Sequence, residues 1–142
     1  MSGKDHISVR NKRINCSGGN CKSNNLIYGA QCRHCNATYV GKTTQELRKR
    51  IAQHRGHMKK LGTSTINVEV TDECTLAAHL KYDHDLTTSV DFNSSYMFTI
   101  LKSVNNPGRL PFEEQRFINE LDTLVPHGLN MENPVGVGIN HL

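Results

Sequence analysis

The chain has no tryptophan, and aromatic residues fill only 6% of its 142 positions. With a hydrophobic fraction of 36%, large core-forming side chains are in short supply. The length suffices for one compact domain with a modest core, and a bound metal or a partner is one way to supplement such a core. No apolar run approaches the length of a membrane span, so no membrane partner is expected. The opening stretch, MSGKDHISVRNKRIN, lacks the apolar segment of a secretory leader. Internal repeats are absent, and no linker is clear enough to divide domains. Glycine is missing where a phosphate loop needs it. Five residues before Gly41 of VGKTT stands Asn36, which excludes a nucleotide triphosphatase.

Five cysteines without a leader point to an intracellular protein whose cysteines are free or metal-bound, and the odd number leaves at least one outside any pairing. A net charge of +4 with eight histidines is a mild basicity that suits a nucleic-acid partner without requiring one. Residues 1–24 form a polar lead-in, extended or loosely ordered, with Cys16 and Cys21 in CSGGNC. Residues 25–142 form the domain.

Within LIYGAQCRHCNATYVGKT, two short strands are expected over residues 26–42. Thr43 or Thr44 would cap a helix, with Glu46 near the third position of a capping box. The helix QELRKRIAQHRGHMKKLG carries an apolar stripe of Leu47, Ile51 and Met58 or Leu61, and Gly62 is a plausible C-cap. Its other faces carry Arg48, Lys49, Arg50, His54, Arg55, Lys59 and Lys60, a solvated face or a nucleic-acid one. A polar link, TSTINVEVTDE, leads to a second helix, CTLAAHLKYDHD. SSYMFTILKSV reads as a strand and NNPGR as a turn. LPFEEQRFINELDTL is a third helix, with Phe112, Phe117, Ile118 and Leu121 as its buried stripe and Pro111 near its start. VPHGLNMENPVGVGINHL closes the chain irregularly. The order β-β-α-α-β-α gives an α+β domain: a small mixed or antiparallel sheet of about three strands flanked by helices.

Cys32 and Cys35 have the Cys-x-x-Cys spacing of a zinc knuckle, and HLKYDH supplies a histidine pair, His79 and His84. Zinc on these four would be an inserted site stapling the hairpin link to a distant helix. Cys16, Cys21 and Cys74 compete as ligands, and Cys32 with Cys35 could instead be a redox pair. Tyr28 and Tyr39 alternate with apolar neighbours on adjacent strands, so both phenols can point the same way. Arg50 and His54 lie one helical turn apart, and Glu114 sits early in the last helix beside Glu113. A phenol acting as base or relay, an arginine on phosphate and a carboxylate on a divalent metal would cleave a phosphodiester. Spacing alone also fits ordinary strand aromatics and a first-turn acid.

The motifs taken in order resemble those of the GIY-YIG nuclease family. LIY (Leu26 to Tyr28) is similar to the first signature, with Leu26 where glycine is common, and YVG (Tyr39 to Gly41) to the second. LRKRIAQH resembles the family's helix and maps its arginine to Arg50 and its histidine to His54. FEEQRFINEL resembles the metal-binding helix and selects Glu114 over Glu113, with Phe117 where tryptophan is common. VPHGLN resembles the closing segment, whose asparagine maps to Asn130.

The Cys-x-x-Cys between the signatures, the later histidine pair and the P-x-G-L-N ending are similar to the endonuclease domain of Penelope-like retroelements, over roughly residues 21–130. The resemblance implies a nuclear, metal-dependent endonuclease that nicks DNA with an activated water. One Mg2+ or Mn2+ would sit on Glu114, with structural Zn2+ on Cys32, Cys35, His79 and His84. Tyr28 would activate water directly or through a relay, Tyr39 would orient the water or the phosphate, and Arg50 would neutralise the phosphate. His54 would assist, Lys42 would add charge, and Asn130 would position the site. Arg48, Lys49, Arg55, Lys59 and Lys60 would bind DNA backbone. The chain holds no reverse-transcriptase region, so it would be a domain of a longer parent protein or a stand-alone relative. The alternative is a non-catalytic, zinc-stapled nucleic-acid-binding module.

Overall fold

The computed structural model describes residues 23–63 and 74–131. Cys16 and Cys21, most of the TSTINVEVTDE link and the chain after Met131 lie outside the described residues. In chain order the elements are β1 (Leu26–Cys32), β2 (Thr38–Thr43), α1 (Leu47–Thr63), α2 (Thr75–His84), α3 (Ser89–Ser95), β3 (Tyr96–Ser103), a 3-10 turn (Pro107–Arg109) and α4 (Leu110–Leu121). The class is α+β, with a three-stranded sheet and four α-helices among the described residues.

Every residue of β1 is buried. LIYGAQC carries no charge, which suits a strand covered on both faces. It runs between β2 and β3, antiparallel to both. The β1–β2 turn is closed by Asn36 N–H donating to Cys32 O at 2.8 Å and Cys32 N–H donating to Ala37 O at 2.9 Å. Asn36 has φ 67°, a left-handed conformation that asparagine tolerates better than most residues.

Side chains alternate across the sheet. Tyr28, Ala30 and Tyr39 face a core shared with Leu47 and Met58 of α1, Leu76 and Leu80 of α2, and Phe92 of α3. Ile27 and Val40 face the other way, toward Leu110 and Ile118 of α4. The sheet is therefore the middle of three layers, and two small cores share the burial.

α1 begins later than the expected helix, at Leu47. Thr43 Oγ1 accepts from Gln45 N–H at 3.0 Å, and Glu46 Oε1 accepts from Arg48 Nε at 2.7 Å. The buried stripe runs through Leu47, His54, Met58 and Leu61. His54 is thus no part of the solvated basic face; at 1% exposure it is a core residue.

α3 is an element that the sequence reading missed. Its seven residues begin at a capping box, Thr88 Oγ1 accepting from Asp91 N–H at 3.0 Å and Asp91 Oδ2 from Thr88 N–H at 3.2 Å. Ser94 and Ser95, expected in the following strand, belong to it. In α4, Leu110, Glu113, Glu114 and Ile118 are buried and Phe112 is 56% exposed, against the expected stripe. Two helical steps carry Phe112 about 200° around from Leu110, away from the sheet.

The chain after α4 closes the free edge of β2. Leu129 N–H donates to Thr38 O at 2.9 Å. Asn130 Oδ1 accepts from Val40 N–H at 2.8 Å and from Thr123 Oγ1 at 2.7 Å, while its Nδ2 donates to Val40 O at 2.9 Å. A side-chain amide so oriented replaces a missing neighbour strand. Gly128 lets this loop close, since a Cβ there would stand 2.5 Å from Thr123 O. Asn130→Ala leaves both Val40 groups without partners, and it is expected to destabilise the fold by about 1–3 kcal/mol in urea or thermal unfolding. An unchanged midpoint would show that the edge is held by something else.

Candidate metal centre and polar cleft

Cys32 ends β1, Cys35 lies in the turn after it, and His79 and His84 lie on α2. Their ligand atoms all fall within 4.8 Å of one another. Cys35 Sγ is 3.3 Å from His79 Nε2, Cys32 Sγ is 3.6 Å from His84 Nε2, and the two Nε2 atoms are 3.2 Å apart. A tetrahedral zinc with ordinary bond lengths sets its ligands at about 3.3 Å between nitrogens and about 3.6 Å between nitrogen and sulfur. The donor set is soft and complete, so the four residues can hold a metal ion such as zinc. Burial pushes the Cys32 thiol up and the His79 ring down. A cation bound there would oppose the first shift and suit the second, because it needs a thiolate and a neutral imidazole.

Two residues unforeseen in the sequence support this cluster. Ser95 docks the turn onto α3: its carbonyl accepts from Arg33 N–H at 2.7 Å, and its Oγ lies 2.8 Å from His34 Nε2. Asp83 Oδ2 lies 2.7 Å from His79 Nδ1, the nitrogen facing away from the cluster. The i,i+4 spacing of His79 and Asp83 was the readable signal. Cys74 is buried where α2 begins, outside the four-residue group.

Tyr28 and Tyr39 share a face, with ring centroids 6.4 Å apart. Tyr28 lies across Gly41, where a Cβ would meet its hydroxyl at 2.4 Å, so only glycine leaves room. Beyond Gly41 the hydroxyl lies 2.6 Å from His54 Nε2. His54 also meets Tyr39 edge-on, with centroids 5.7 Å apart. Tyr28 is 0% and Tyr39 3% exposed. Desolvation, then the neighbouring Arg50 and His57 charges, lower the His54 pKa from 6.5 to about 3, so its ring is neutral near pH 7.

Lys42 and Glu114 lie on the opposite face of β2 from the tyrosines. Lys42 Nζ is 3.1 Å from Glu114 Oε1, and the Glu114 side chain is 8% exposed. The adjacent Glu113 turns toward Lys102 of β3 and also meets Arg116 of its own helix, each within 3.1 Å; those hydrogen bonds hold its carboxyl below the usual range. The two glutamates thus bracket β1, each on a different cation. Lys42, Thr43, Thr44, Gln45, Arg50, Gln53 and Leu110 line an open polar cleft of about 270 Å3 at the end of β2. Arg50 is steered there by Gln53, whose Oε1 accepts from Nη1 at 3.0 Å. The tyrosine–histidine cluster and the Lys42–Glu114 pair lie on opposite faces of the sheet, and of these residues Lys42 lines the cleft. Among the described residues, Glu114 belongs to no group of three or more metal-ligating side chains.

Of the candidate DNA-binding residues, Arg48, Lys49, Lys59 and Lys60 are exposed, while Arg55 is half-buried and donates to Asn93 Oδ1 at 3.2 Å. No helix among the described residues is long and apolar enough to cross a membrane.

His79→Ala is expected to lose bound metal and to melt at lower temperature than the wild type. A variant that keeps both would remove His79 from the ligand set. For His54, the folded pKa lies below the unfolded value, so the stability it allows is full above pH 6.5. As pH falls from 6.5 toward 3, the unfolded chain takes up a proton that the folded chain refuses. Stability should fall by up to about 1.4 kcal/mol per pH unit across that window. Urea midpoints of wild type and His54→Gln measured from pH 7 to pH 4 test this, the variant giving the flatter profile. No family model matches the chain, and no curated protein or solved structure matches it either.

Proposed function

We propose that the chain is a metal-dependent DNA endonuclease of GIY-YIG type, closest to the endonuclease domain of Penelope-like retroelements. What carries this reading is the set of groups gathered around β2. The Tyr28–Tyr39–His54 cluster lies on one face of the sheet, the Lys42–Glu114 pair on the other, and Arg50 and Lys42 line a polar cleft at the end of the strand.

In this reading the cleft receives the scissile phosphate. Arg50 offers it a planar, two-pronged donor and Lys42 a second positive charge. Tyr28 would activate the water, and the neutral His54 ring, 2.6 Å from its hydroxyl, would assist by hydrogen bonding to the phenol. Tyr39, the phenol with some exposure, orients that water or the phosphate. A divalent ion at Glu114 would supply charge stabilisation for the phosphate and the leaving oxygen. Asn130 holds the edge of β2, and with it the register of Tyr39 and Lys42. Zinc on Cys32, Cys35, His79 and His84 would be structural, since four protein ligands leave no open position. The exposed cations of α1 would add salt-dependent affinity for DNA backbone.

A second reading, a non-catalytic zinc-stapled module that binds nucleic acid, draws support from the near-complete burial of both phenols and from the existing partner of Glu114. Supercoiled plasmid with Mg2+ or Mn2+ separates the two. Wild type is expected to nick it, and Glu114→Ala to lose about 100-fold or more of that rate while keeping its circular dichroism. Binding without nicking in any divalent metal would sink the nuclease reading and leave the module. A thiol redox protein would instead show a reversible Cys32–Cys35 disulfide and no stoichiometric zinc in reductant.

A further inference from the structure

Asp83 is no ligand of the cluster, yet its carboxylate addresses the inner ligand. Oδ2 lies 2.7 Å from His79 Nδ1; the imidazole side chain is 6% exposed and the carboxylate 62%. A neutral imidazole carries one proton, on one nitrogen or the other. A carboxylate accepting at Nδ1 holds the proton there and leaves a lone pair on Nε2, the atom turned toward Cys35 Sγ and His84 Nε2. The same bond stops the ring from rotating about its last side-chain torsion. We infer that Asp83 is a positioning residue of the metal centre: it fixes the His79 tautomer and ring orientation, and thereby sets metal affinity. This rests on the reading that Cys32, Cys35, His79 and His84 bind zinc.

The competing account is a helix-surface pair four residues apart, which would add a little helix stability and nothing to the metal. The two differ in what they move. A surface pair changes helix stability alone, whereas a carboxylate behind a ligating histidine typically changes metal affinity 10–100-fold. The i,i+4 geometry of α2 brings Asp83 to the correct nitrogen. Nothing else need change in the ligand set when it is removed.

The full chain is titrated with Zn2+ against a chromophoric chelator, and separately with Co2+ to read the visible bands of a four-coordinate ion. Asp83→Ala is expected to weaken zinc about 10–100-fold while the Co2+ bands keep their four-coordinate form. Asp83→Asn, whose amide oxygen still accepts from Nδ1–H, is expected to recover most of the affinity. Long-range proton–nitrogen spectra of the metal-free chain should show the His79 proton on Nδ1 in wild type and shifted toward Nε2 in Asp83→Ala. Zinc affinity unchanged in Asp83→Ala, or equally weakened in both variants, overturns the inference with the metal centre intact. Wild type that takes up no zinc overturns the metal reading itself, and this inference with it.

Discussion

The complete burial of β1 is the constraint from which the rest follows. A strand with no exposed residue must be flanked on both edges and covered on both faces. Its edges are met by β2 and β3, one face by α1, α2 and α3, and the other by α4. With few large apolar residues to spend, neither face can be covered by bulk alone. Polar residues therefore carry part of the interior: His54 fills a stripe position of α1, Asn130 substitutes for a strand, and Glu113 and Glu114 seat α4 on lysines of β3 and β2. Each has a specific partner, as buried polar groups must if they are not to cost stability, though His54 is met only at Nε2 and its Nδ1 has none among the described residues.

What was legible in the sequence is what local pattern determines. The two strands around Cys32 and Cys35, the helix after Thr44 and the helix after Pro111 all show in periodicity, and they appear within a few residues of the expected bounds. The Cys-x-x-Cys and the distant histidine pair were readable because metal ligands impose fixed spacings, and the fold brings all four together. The failures also have physical causes. Seven residues of α3 are too few for a helical period, and the strand signal of Tyr96 to Ile100 runs straight into them. Phe112 was assigned to the interior by its chemistry, though its angle around the helix sets it outside. His54 was assigned to a charged face by the same habit, when its place between Ile51 and Met58 in the seven-residue repeat pointed inward.

The candidate site is less legible than the fold because its parts lie on different layers. Tyr28 and His54 are distant in sequence, and only the gap above Gly41 lets the phenol reach the ring. Lys42 follows Gly41 directly, yet the strand pleat sends it to the opposite face, where Glu114 waits. Neighbours in sequence thus serve separate clusters, and partners in space are far apart along the chain. Asp83 and Ser95 steady the cysteine–histidine group from outside; Asp83 shows in the sequence only by its place four residues after His79, and Ser95 carries no motif.

The contact between Cys35 and His79 spans 44 positions of chain. A metal ion held there would make that stretch a closed ring, and Tyr39, Lys42, Arg50 and His54 would all ride on it. Ring closure constrains the unfolded chain more than the folded one, much as a disulfide does. Its entropic cost grows only slowly with length, by about 0.6 kcal/mol for each doubling. A change in the length of the chain between α1 and α2 would therefore alter the cost of closing the ring only slightly.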